Sequence, residues 1–161
     1  MKLTRQEYIK KYCQLAINAT QGTGLFPSVM IAQGIVESNN GNSTLSSLYN
    51  NHFGIKADSS WTGKKVSLQT REVFDGKSVM IGDFFRVYNT VEEGFEDRIQ
   101  FLKRNKRYTT FGVFNARTPL EQIEALKNAK YATDPLYVTI LNQVLVKNNL
   151  AQYDTIKTEI V

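Results

Sequence analysis

Two glutamates stand where a carboxylate is costly, and together they could do acid–base chemistry. Glu37 falls in the last turn of an apolar helical stretch, PSVMIAQGIVES, which opens with Pro27 and stops at the turn-forming run Ser38-Asn39-Asn40-Gly41. A carboxylate there faces the negative end of the helix dipole, and Ile35 and Val36 desolvate it, so the neutral acid is favoured. Glu72 lies in an alternating stretch, where it shares a face with Val66, Leu68, Thr70 and Phe74. A carboxylate on such a face must be paired or turned toward a cleft. Cleavage of a glycoside needs a protonated carboxyl on one side of the sugar and usually a second group on the other. The plainer readings are a surface glutamate for Glu37 and an ion pair with Arg71 or Lys65 for Glu72.

The loop that follows the Glu37 helix, Asn50-Asn51-His52-Phe53-Gly54-Ile55-Lys56, packs amides, an aromatic ring and a glycine into seven residues. Amides bond sugar hydroxyls or acetamido groups, and an aromatic ring can stack on a pyranose face. Trp61 suits either the base of a hairpin or a glycan surface. His52 is the single histidine, and no acidic cluster surrounds it at ligand spacing, so no metal and no cofactor are expected. Cys13 is the single cysteine and reads as a buried core thiol, which excludes an internal disulfide.

The elements that must hold these residues follow from periodicity and caps. Thr4-Arg5-Gln6-Glu7 reads as a capping box for a first helix to about Asn18, and Thr90-Val91-Glu92-Glu93 and Thr118-Pro119-Leu120-Glu121 as two more. Asp75-Gly76 joins two strands, with Gly82 a candidate bulge on the return strand. The last long helix is expected from Asp134-Pro135, with Asp134 as its cap. Glu92, Glu93, Glu96 and Asp97 read as a solvated helix face. The whole is α+β, mainly α: a helical body with an inserted β-hairpin lobe at about 61–88, in one domain spanning 1–161.

The chain resembles a known family on several ordered motifs. PSVMIAQGIVES, then Gly41, Ser43 and NNHFGIK, look like the signature of the peptidoglycan N-acetylglucosaminidases of the flagellar-hydrolase and autolysin type, glycoside hydrolase family 73-like. Ser60-Trp61-Thr62-Gly63-Lys64-Lys65, Thr70-Arg71-Glu72, Phe85-Arg86-Val87-Tyr88 and Tyr131-Ala132-Thr133-Asp134-Pro135 agree, so the likeness runs from about Tyr8 to Asp154. The resemblance implies a lysozyme-like fold and hydrolysis of the β-1,4 bond between N-acetylglucosamine and N-acetylmuramic acid in bacterial peptidoglycan. It implies Glu37 as the catalytic acid and Glu72 as the second carboxylate. Tyr131 would sit in the cleft near the sugar acetamido group, and Asn51, Phe53, Gly54, Trp61 and Tyr137 would meet substrate. Where the family usually carries Trp-Gly after the Glu-Ser pair, this chain has Asn40 before Gly41, and Val138 replaces a small residue.

The alternatives are a muramidase or lytic transglycosylase on the same glycan, or a glycan-binding module without catalysis. The net charge of +5 suits polyanions, but the basic residues form no run, so a nucleic-acid partner is not expected. No apolar run reaches the length of a membrane span, and the first residues carry charges with no apolar segment behind them. The expected setting is a monomer acting on glycan strands at the cell wall. Its route there is release of the phage-endolysin type, or the chain is a domain of a longer secreted protein.

Overall fold

The computed structural model describes residues 2–154, so both ends of the 1–161 span lie outside it. Seven α-helices and two strands follow one another as α1 (Arg5–Thr20), α2 (Pro27–Ser38), α3 (Thr44–Tyr49), β1 (Lys65–Phe74), β2 (Lys77–Arg86), α4 (Val91–Arg104), α5 (Lys106–Thr110), α6 (Pro119–Asn128) and α7 (Tyr137–Lys147). Short 3-10 turns at Val113–Asn115 and Leu150–Tyr153 complete the described chain.

The helices gather around α2, in which every residue except Val36 and Glu37 is buried. Helices α1, α6 and α7 and the Leu150–Tyr153 turn all pack on it. At its N-terminus the Asp154 carboxylate accepts hydrogen bonds from the Ser28 amide (2.8 Å) and hydroxyl (2.6 Å). This places negative charge at the positive end of the helix dipole. At its C-terminus Asn39 turns left-handed and returns its N–H to the Ile35 carbonyl, and Ser38 Oγ accepts the Gly41 amide at 2.7 Å. Gly34 lets α1 approach closely, since a Cβ there would stand 2.4 Å from the Tyr8 hydroxyl.

The hairpin is a ten-pair antiparallel ladder closed by Asp75 (φ 49°) and Gly76 (φ 76°), as a two-residue turn with both φ positive requires. Gly82 pairs regularly with Gln69, so the expected bulge is absent. Buried Arg86 anchors the hairpin: its Nε donates to the Lys56 carbonyl (3.1 Å) and its Nη1 to Asp97 (2.9 Å). Tyr88 donates its hydroxyl to the same carboxylate, so Asp97 belongs to a partly buried ion pair and not to a solvated face.

Other expectations need correction. The α1 capping box is complete, but in α4 and α6 the return bond falls one residue upstream: Glu93 takes the Asn89 amide and Glu121 the Arg117 amide. Helix α7 starts at Tyr137, because Asp134 instead closes a preceding turn by accepting the Leu136 amide at 2.8 Å. Cys13 lies at the edge of the core, half-buried.

Candidate active site

Between the helical body and the hairpin lies a cleft of about 750 Å³. Glu37 enters it from the end of α2, Glu72 from β1, and Tyr131 from the segment before α7. Gly54 turns at φ 67°, and a Cβ there would come within 3.5 Å of Glu37 Oε2. The positive φ favours glycine there, and the space itself would admit a Cβ in ordinary contact with the carboxyl.

Burial pushes the Glu37 pKa up to about 7, the negative charge of Glu72 adds to the rise, and a hydrogen bond from Tyr137 opposes it. The acid form is thus substantially populated near neutrality, as a proton donor requires. Glu72 is held from two sides, by Lys56 Nζ (3.2 Å) and by the Thr133 hydroxyl (3.3 Å). Thr133 Oγ1 also accepts the Val73 amide at 3.1 Å, so the hairpin is tied across the cleft to the 131–134 segment. Lys56 and Asp83 form a second ion pair at 3.2 Å, and neither Arg71 nor Lys65 partners Glu72 in the ion pairs of the described residues. The Tyr131 hydroxyl donates to the Phe53 carbonyl (3.0 Å), and burial drives its pKa upward, keeping it neutral.

The remaining expected substrate contacts divide. Asn51 is buried outside the cleft lining, with its amide fully used: Nδ2 donates to the Ile55 and Arg86 carbonyls, and Oδ1 accepts the Phe53 and Ile55 amides. It shapes the loop and presents nothing to a sugar. Phe53 is 1% exposed, its ring edge-on to Phe95 at 4.9 Å, so it offers no stacking face. Trp61 sits at the hairpin base over the Arg86 guanidinium at 4.7 Å and does not line the cleft. Tyr137 is buried beneath Glu37, stacked with Tyr131, and touches the acid instead of the cleft's open space. His52 bonds Tyr8 through Nδ1 (2.8 Å), and burial lowers its pKa to about 4, so it is a neutral core residue. Among the described residues no cluster of three His, Cys, Asp or Glu side chains could hold a metal ion.

Replacing Asn51 by alanine is expected to destabilise the fold by roughly 3 kcal/mol, since a stranded buried backbone group costs about 1–3 kcal/mol. Urea unfolding measures this. A loss below about 1 kcal/mol with a tenfold higher KM would return Asn51 to sugar binding.

Sequence reasoning missed Lys56, Thr133, Gln33 and Arg98. Lys56 and Thr133 stood inside motifs already noted, and Gln33 was visible as a polar residue within an apolar helix. A family profile described as mannosyl-glycoprotein endo-beta-N-acetylglucosaminidase matches residues 13–150. The chain belongs to this glucosaminidase family. A probable N-acetylmuramidase of Lactococcus lactis subsp. cremoris is 37% identical over 155 residues, covering 92% of this chain and 35% of the relative. The exo-glucosaminidase LytG of Bacillus subtilis is 36% identical over 137 residues, covering 82% and 47%. The chain therefore spans less than half the length of these relatives. Among solved structures, the catalytic domain of the autolysin Auto from Listeria monocytogenes superposes with a TM-score of 0.78 at 33% identity, covering 96% of this chain and 91% of that one. The α+β, mainly α architecture is thus shared with this solved catalytic domain.

Proposed function

We propose that the chain hydrolyses the β-1,4 bond between N-acetylglucosamine and N-acetylmuramic acid in bacterial peptidoglycan, with Glu37 as general acid. The carrying observation is the Glu37 carboxyl at the cleft wall, its pKa raised to about 7 by burial and by Glu72. A carboxyl so placed can protonate the leaving oxygen at neutral pH, and the positively charged anomeric carbon then meets Glu72 or the sugar's own acetamido oxygen. Tyr131, neutral and lining the same cleft, supports an acetamido role. The substrate is the cell-wall glycan strand, and the site of action is the wall. Among the described residues no helix is long and apolar enough to cross a membrane.

A second reading, cleavage on the muramic acid side, is favoured by the muramidase name of the Lactococcus relative. Borohydride reduction of digested peptidoglycan followed by mass spectrometry separates the two. Reduced N-acetylglucosamine at the new ends supports the proposal, and reduced N-acetylmuramic acid replaces it with the second reading. Anhydromuramic ends would point to transglycosylation, and no cleavage at all to a binding module.

A further inference from the structure

Arg98 on α4 is fully buried, and in the ion pairs of the described residues no carboxylate meets it. Its Nε and Nη1 make no hydrogen bond there. A buried cation without a counter-ion is expensive, so its surroundings matter. Guanidinium groups only donate, so Nη2 must donate to Gln33 Oε1. That contact orients the Gln33 amide, whose Nε2 then donates to the Tyr137 hydroxyl oxygen at 2.7 Å. With its oxygen accepting, Tyr137 has its O–H left to donate, and the group it meets is the Glu37 carboxyl.

We propose that Arg98 is a positioning residue for the acid: through Gln33 and Tyr137 it presets a hydrogen bond that receives the Glu37 carboxylate as it forms. In the acid form, the Tyr137 O–H takes one carboxyl oxygen and leaves the protonated oxygen to face the leaving group. When the proton moves to the glycosidic oxygen, the C–O bond breaks and the charge stays on Glu37. The Tyr137 bond then becomes charge-assisted and strengthens. A contact that tightens only as charge develops lowers the barrier without tightening substrate binding. Without Arg98 the Gln33 amide can rotate, and the Tyr137 hydroxyl can turn away from Glu37.

Other groups also face Glu37: Glu72 from β1 and Tyr131 from the segment before α7 act on it directly. Lys56, Arg71, Arg107, Lys130 and Asp58 line the same cleft. Of these, Tyr131 also meets the Arg98 guanidinium, a second route from Arg98 to Glu37, whereas the Gln33–Tyr137 chain approaches from the core side.

The proposal rests on Glu37 being the acid, so the test reads Glu37 itself as well as turnover. Carbon-13 NMR titration of glutamate-labelled protein follows the Glu37 pKa, and pH profiles of kcat/KM follow the alkaline limb. Tyr137→Phe should raise both by about half a pH unit or more, because a bond to the charged form is lost. It should lower kcat about tenfold with KM within threefold. Arg98→Met and Gln33→Met should shift the limb in the same direction, and Arg98→Lys, which keeps a donor, should recover most of the shift. In the Arg98→Met/Tyr137→Phe double variant the shift should not exceed that of Tyr137→Phe alone. Additive shifts would mean that Arg98 acts on Glu37 by its charge or through Tyr131, and would overturn the relay. An unmoved limb in a folded Arg98 or Gln33 variant would do the same. If neither folds, Tyr137→Phe decides, and an unmoved or lowered Glu37 pKa sinks the idea. An inactive Glu37→Gln beside unshifted variants would reject the relay and keep the acid, whereas an active one would reject the acid.

Discussion

Glu37→Gln leaves a folded protein that has lost at least about a hundredfold in turnover, since general acid catalysis contributes roughly 10²–10⁴-fold. The amide fills the same space at the end of α2 and can still meet Tyr137, but it has no proton to give. Stability supplies an independent check with a definite sign. Burial raises the Glu37 pKa from 4.5 to about 7, so its neutral form favours the native state. That contribution is complete below pH 4.5 and is lost as pH rises through 7. Glutamine stays neutral throughout. The variant should therefore melt near the parent in acid, gain on it between these two pH values, and hold a constant advantage above them. A variant that clears cell walls within about threefold of the parent would remove Glu37 from the role of acid.

How the site was written into the chain differs from residue to residue. Glu37 was legible because both ends of its helix are marked locally, by Pro27 and by Ser38-Asn39-Asn40-Gly41, and an acid against the helix dipole breaks a local rule. Glu72 was legible because strand alternation counts faces without knowing what the face meets. Asn51 was misread for a physical reason: an amide in a polar loop looks the same whether it bonds a sugar or its own backbone. Only the fold shows its four internal bonds. Asp97 was misread because its partner Arg86 arrives from another element, and pairing across elements leaves no periodic trace. Arg98 shares the spacing of Phe95, Ile99 and Leu102, all buried on one stripe of α4. A long charged side chain on such a stripe ordinarily extends to water, and nothing local announces that this one ends beside Gln33.

Glu72→Gln is expected to move the alkaline limb opposite to Tyr137→Phe. The charge of Glu72 raises the Glu37 pKa, so removing it lowers that pKa from about 7 and shifts the limb toward acid. At pH 7.5 the variant loses activity partly because fewer molecules carry the proton, and assay at a lower pH restores that part. What remains after this correction measures Glu72's direct work. If Glu72 activated water for inversion, the corrected loss would be about 10²–10⁴-fold, the range of a general base. If the acetamido oxygen attacks the anomeric carbon, Glu72 only orients that group or stabilises its positive charge, and the loss is smaller than for Glu37→Gln. We favour acetamido participation for two reasons. Both Glu72 oxygens are already engaged, one by Lys56 and one by Thr133, which suits holding a cation-like group more than taking a proton from water. Tyr131 stands neutral in the same cleft, and because its O–H is given to the Phe53 carbonyl its oxygen is the part able to accept from an acetamido N–H. Two displacements at the anomeric carbon return the β configuration. Proton NMR of the first-formed anomer, taken before mutarotation, should therefore show β. An α product would make Glu72 the base for direct attack by water and reduce Tyr131 to a wall of the cleft.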